Sequence, residues 1–220
     1  MTLSPGLAGL RTWSQWGTAK TYFEQLITAN GERAAADVAD FQARYAAMPC
    51  AAVVDAVLSV RKKYVRAVIP AMNIWMAANP TATLASLASS GGGTIVGKPA
   101  TWKGHATIRG VAKALLDFGA TDATDHQRMG AWAVQAVPFR YHYRLDAVGA
   151  VSGIGPALFS YLLMRSGADA LKPDSRVKEQ LKNSGLTTTA RIHDLDALFL
   201  AEAMAEELQV PRLWFDKLLW

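Results

Sequence analysis

Ser152-Gly153-Ile154-Gly155-Pro156 is followed, nineteen positions after Gly155, by Asp174 in Leu171-Lys172-Pro173-Asp174-Ser175-Arg176-Val177. Two glycines separated by one apolar residue permit a very tight turn, because neither places a Cβ in the path of the backbone. Pro156 suits the first turn of a helix, where its missing N–H costs nothing, and Ala157 to Arg165 (ALFSYLLMR) continue that helix. Upstream, Tyr143 to Val151 can form one short helix, so the glycines stand at the corner of a helical hairpin. The N–H groups of such a corner, with the N-terminus of the following helix, form a nest for an anion such as a phosphate. Pro173 biases Lys172 away from helical geometry, and Asp174 opens a third helix.

Working outward, helical periodicity dominates. Lys20 to Ala29, Glu32 to Met48 and Ala51 to Ala78 carry apolar residues at three-to-four spacing, with Gly31, Pro49 and Asn79-Pro80 as breaks and Pro70 as a kink or division. Thr81 to Ser89 reads as a short helix. Ser89-Ser90-Gly91-Gly92-Gly93 begins a loop that runs to about Trp102. Helices are predicted near His105 to Phe118, Thr124 to Val137, Ser175 to Asn183, Arg191 to Leu208 and Pro211 to Leu219. Alanine is abundant, 51% of residues are hydrophobic, and β-branched runs are scarce. The fold class is all-α. No repeat of solenoid period appears.

The compound pattern of apolar-Gly-apolar-Gly-Pro, an apolar helix, and Pro-Asp at this distance before a further helix resembles the HhH-GPD superfamily of DNA glycosylases. The resemblance covers roughly residues 139–183. It implies two helical lobes with a DNA-facing cleft, residues 1–220 forming one glycosylase unit, and Asp174 as the catalytic aspartate at the mouth of the cleft. Ser152, Gly153, Ile154, Gly155 and Ala157 become the DNA-binding hairpin. In the family's bifunctional members a lysine two residues after the second hairpin glycine attacks the sugar. Ala157 stands there, which points to a monofunctional enzyme of the alkyladenine type, a branch that also favours Gly-Ile-Gly-Pro. Leu158-Phe159 replaces a commonly small pair, and Arg176 replaces a common histidine. With one cysteine, Cys50, the chain cannot hold the four-cysteine iron–sulfur cluster of endonuclease III-like relatives.

The chemistry implied is hydrolysis of an N-glycosidic bond. A stacked base leaves no room for catalytic groups, so the nucleotide must be extruded. As the bond stretches, positive charge grows on the deoxyribose, and the Asp174 carboxylate can stabilise it and orient a water for attack at C1′. An alkylated purine is the first expected substrate; another modified base, including the modified pyrimidines of phage DNA, suits the same centre. A hairpin whose Asp174 merely caps a helix would share the local sequence, and a non-catalytic DNA-binding module is the alternative function. A helical protein–protein adaptor has only composition behind it.

Candidates for the base pocket are Trp132, Tyr141 and Tyr143, the tyrosines lying in the aromatic and basic run Phe139-Arg140-Tyr141-His142-Tyr143. Trp13, Trp16, Trp75 and Trp102 have apolar neighbours that favour core positions. Lys98 and Lys103, beside the glycine loop with Arg109, and Lys172, two before the aspartate, are candidate phosphate contacts. Arg61-Lys62-Lys63 with Arg66 forms a further basic cluster.

The net charge of +5 suits a polyanionic partner without implying tight non-specific binding. Double-stranded DNA is the expected partner, no nucleotide cofactor is implied, and a monomer is expected. The single cysteine excludes an intrachain disulfide and suits a reducing compartment. The four histidines (His105, His126, His142, His193) form no zinc pattern, so no metal is expected. The opening MTLSPGLAGLRTW lacks a basic start and Arg11 interrupts its apolar run, unlike a signal peptide. No stretch reaches the ~18 uncharged apolar residues of a membrane span. A soluble cytoplasmic protein is the expectation.

Overall fold

The computed structural model describes residues 5–60 and 62–220, and every regular element among them is helical. The chain divides into two compact units, Met1–Phe41 with Asp169–Trp220, and Gln42–Ala168. None of the described helices is long and apolar enough to cross a membrane.

The first unit is discontinuous in sequence. It contains α1 (Pro5–Leu10), most of α2 (Trp16–Ala43), α9 (Ser175–Asn183), α10 (Asp194–Glu207) and α11 (Arg212–Leu218). Its two chain segments meet through buried Phe23, whose ring lies edge-on to that of Phe215 at 5.3 Å. Tyr22 donates a hydrogen bond to Gln180 Oε1, and Arg11 pairs with Glu207. Contrary to the sequence expectation, Gly31 does not break α2. A helical glycine costs about 1 kcal/mol relative to alanine, and here a Cβ would sit 3.4 Å from the Trp214 ring, so the position gives the indole room beside the helix.

The second unit surrounds two helices that are apolar on nearly every face. These are α3 (Ala51–Ser59), with Ala51 to Leu58 all buried, and α8 (Pro156–Arg165), with Leu158 to Met164 all buried. Around them lie α4 (Ile69–Ala78), α5 (Leu84–Ser90), α6 (Gly104–Leu116) and α7 (Asp125–Ala136). Thr83 and Thr124 begin α5 and α7 with capping boxes closed by Ser86 and Gln127. Pro70 falls in the first turn of α4, and Tyr64–Val68 immediately before it is a π-helical turn. The long helix expected over Ala51 to Ala78 is thus divided, as the missing proline N–H requires.

A buried polar cluster joins α3 to α8. Asp55 Oδ2 accepts from the hydroxyls of Tyr161 and Tyr64 at 2.6 and 3.1 Å and pairs with Arg165 at 3.2 Å. Burial, then the Asp55 charge, raises the Tyr161 phenol well above its ordinary value, so it stays a donor.

Candidate nucleic-acid interface and catalytic aspartate

The hairpin corner belongs to the second unit. Gly153 adopts φ +94°, a backbone that favours glycine, and a Cβ there would lie 2.5 Å from Thr107 Oγ1. Thr107, on α6, donates its hydroxyl hydrogen to the Ser152 carbonyl at 2.9 Å. Gly110, one turn further along α6, leaves space for Val151, whose Cγ1 would be 2.7 Å from an added Cβ. Ile154 is buried at 1% exposure and plugs the turn onto the core. Neither Thr107 nor Gly110 stands out in the sequence; a threonine and a glycine inside a helix carry no local mark of what they hold.

Gly155 differs from Gly153. It is the N-cap of α8 with φ −115° and ψ 177°, extended backbone open to any residue, and no atom lies within 4 Å of a Cβ built on it. Its need for glycine is therefore not internal to the chain. Among the described residues the N–H groups of Gly155, Ala157 and Leu158 have no acceptor, while the Gly155 carbonyl accepts from Phe159 N–H at 2.9 Å. The result is a set of unpaired donors at a helix N-terminus behind an uncovered glycine, with Ala157 half-exposed in the first turn.

The expected helix over Tyr143 to Val151 does not form. Tyr143–Leu145 is a short 3₁₀ turn, and residues 146–150 are turns. Asp146 is the cause. Its Oδ1 accepts from Val148 and Gly149 N–H at 2.8 and 3.1 Å, and the Trp132 indole N–H donates to the same carboxylate. Gly149 lies so close to the Tyr143 carbonyl that any Cβ would collide with it. Phe159 is fully buried, edge-on to Trp132 at 5.6 Å and tilted against Tyr143 at 6.0 Å. The larger residue is accommodated because Gly149 withdraws.

Trp132 is 0% exposed, a core residue with no open face on which a base could stack, so the sequence expectation for it is corrected. Tyr141 and Tyr143 are half-buried, each beneath a guanidinium, from Arg140 at 4.8 Å and Arg144 at 5.0 Å. Lys103 is exposed immediately before α6, and Lys98 places its ammonium 4.6 Å from the centroid of Trp102. Arg61 lies outside the described residues.

Asp174 belongs to the first unit and caps α9. Its Oδ1 accepts from Arg176 and Val177 N–H at 2.9 and 3.2 Å, and its Oδ2 pairs with Lys172 Nζ at 2.9 Å. The side chain is 18% exposed. Lys172 is fixed in turn: its N–H donates to Asp216 Oδ1, and its ammonium stands 4.7 Å from the Trp220 ring centroid. Arg176 approaches the same ring at 5.8 Å. Trp220 is a neighbour the sequence does not announce, being 46 residues from Asp174. No group of three or more histidine, cysteine, aspartate or glutamate side chains among the described residues could hold a metal ion.

Comparison of the chain with protein-family models, with curated proteins and with solved structures returned no match.

Proposed function

We propose that the chain is a monofunctional DNA glycosylase of the helix-hairpin-helix type, which extrudes a damaged or modified base from double-stranded DNA and hydrolyses its N-glycosidic bond to leave an abasic site. The HhH-GPD fold with its DNA-facing cleft is part of this proposal. The observation that carries it is the corner at Gly155: backbone donors unpaired at a helix N-terminus, behind a glycine the chain itself does not require. A phosphate needs that approach, and a purely structural turn does not.

Asp174 supplies the chemistry in this reading. N-capping fixes its rotamer, leaving Oδ2 as the oxygen that can turn to a substrate, and Lys172 is the group substrate must displace or share. The carboxylate offsets the charge that develops on the sugar and orients the attacking water. Selectivity comes from the base pocket and from the lower cost of extruding a damaged base. An alkylated purine is the first substrate to try, and modified pyrimidines follow.

The test is a screen for free-base release from duplexes carrying a panel of alkylated, deaminated, oxidised and hypermodified bases. Release that disappears in Asp174→Asn supports the reading. A well-folded protein that binds the duplexes and frees nothing supports the second reading, a non-catalytic hairpin module. That alternative draws on one observation, that both Asp174 oxygens already have partners within the chain.

A further inference from the structure

Lys98 and Lys62 approach one another from segments 36 residues apart in sequence. The Lys98 ammonium loses proton affinity, first to burial and then to the Lys62 charge. Two like charges held close are a cost that an anion between them would relieve. Lys62, Lys63, Arg66, Lys98 and Lys103 form no ion pair with an acidic side chain among the described residues. Elsewhere cations are matched: Lys20, Arg33, Arg165, Lys172, Lys178 and Arg212 all face carboxylates.

The platform under Lys98 is firmly built. Gly91, at φ +67°, lies against the His105 backbone, and the Trp75 indole donates to the Gly92 carbonyl at 2.7 Å. Ile95 is buried at 1% exposure, and Lys98 N–H closes a turn onto its carbonyl at 3.0 Å. The Trp102 ring lies flush against Gly104, where any Cβ would strike it, and carries Lys98 at 4.6 Å. Lys103 follows, one turn before Thr107, which is bonded to the hairpin through the Ser152 carbonyl. Residues at i and i+4 share a helix face, so Lys103 and the hairpin anchor lie on one side of the start of α6.

From this arrangement we infer that Lys62, Lys98 and Lys103 form a second phosphate-contact strip, linked to the hairpin through α6, which grips the backbone of duplex DNA away from the extruded nucleotide. The strip rests on the reading of the hairpin as a DNA contact and extends it to a face the hairpin motif does not include. Duplex DNA offers about one charge per 1.7 Å of axis, so a row of cations finds acceptors without sequence preference. The fixed loop lowers the entropic cost of presenting Lys98.

The experiment measures affinity of the full chain for an unmodified duplex over a range of salt concentrations. Parent, Lys62→Gln, Lys98→Gln, Lys103→Gln and the triple variant are compared, with thermal melts as a folding control. Each single change is expected to reduce the slope of log K against log salt by about 0.9, and the triple variant by nearly three times that. A triple variant that melts like the parent and keeps its affinity and slope overturns the strip. So does a loss confined to heparin or double-stranded RNA, which would assign it to another polyanion. Base release is scored separately: a parent that binds DNA with the expected slopes and frees no base defeats the glycosylase reading and leaves the strip standing.

Discussion

At Gly153 a positive φ and the nearness of Thr107 Oγ1, 2.5 Å from any added Cβ, make glycine a folding requirement. At Gly155, extended backbone and open space make it an access requirement. Alanine at the two positions should separate these roles. Gly153→Ala is expected to destabilise the chain by about 1–3 kcal/mol, the usual cost of a disfavoured backbone region, read as a lower urea midpoint. Gly155→Ala should melt like the parent and bind DNA about tenfold more weakly, the equivalent of one lost charge-assisted hydrogen bond. Equal affinity in Gly155→Ala would remove the corner from the interface. Asp174→Asn provides a matching separation, because asparagine caps a helix as well as aspartate. The melting temperature should hold while base release falls by on the order of a hundredfold or more. At Ala157 there is no amine to form a Schiff base, and Lys172, nearest to Asp174 in sequence, has its amine in an ion pair at 2.9 Å. Borohydride treatment during turnover should trap no protein–DNA adduct. A strong adduct that vanishes in Lys172→Ala would make the enzyme bifunctional, with Lys172 as nucleophile.

Among the elements, the first limb of the hairpin depends on one carboxylate. Asp146, 7% exposed, holds two backbone N–H groups and the Trp132 indole. Asp146→Ala leaves three buried donors unpaired, at about 1–3 kcal/mol each before relaxation, so chemical denaturation should show a loss of about 3 kcal/mol or more. A loss under 1 kcal/mol would mean that water or relaxation replaces those bonds. This limb is also where the sequence reading failed. Tyr143 to Val151 has helical composition, yet Asp146 offers its amides a rival acceptor and Gly149 must meet the Tyr143 carbonyl. Limbs with local punctuation were legible: Pro156 opens α8, Asp174 caps α9, and Thr124 with Gln127 starts α7. Gly31 misled because its reason, the Trp214 ring, lies 183 residues away. In the site, the corner and the aspartate were visible because each is a short motif. The Thr107 and Gly110 support, the Lys172 pairing and Trp220 were not, because tertiary contact creates them.

At the scale of the whole molecule, the least legible feature is that the first unit draws on both ends of the sequence, Met1–Phe41 and Asp169–Trp220. Periodicity is local and cannot report which distant helices close on one another. Part of that closure is electrostatic. Glu207, 7% exposed, sits 2.6 Å from Arg11 Nε and 3.5 Å from Lys20 Nζ. Burial alone would raise its carboxyl, but the Arg11 hydrogen bond and charge, with the Lys20 charge, bring it below the ordinary value of 4.5. The folded state therefore binds the Glu207 proton less readily than the unfolded chain does. The stabilisation is complete above the ordinary carboxylate value and is lost as pH falls through the lowered one. Arg11 and Lys20 are each about two-fifths exposed, so solvent screens the pairs and the effect is modest. Thermal melts of the parent and of Arg11→Gln from neutral pH down to about pH 3 provide the measurement. Arg11→Gln should melt lower at neutral pH, and its deficit should shrink in acid, where the parent has lost the same interaction. A deficit that stays constant across that range would mean Arg11 stabilises the unit by packing its side chain rather than through Glu207.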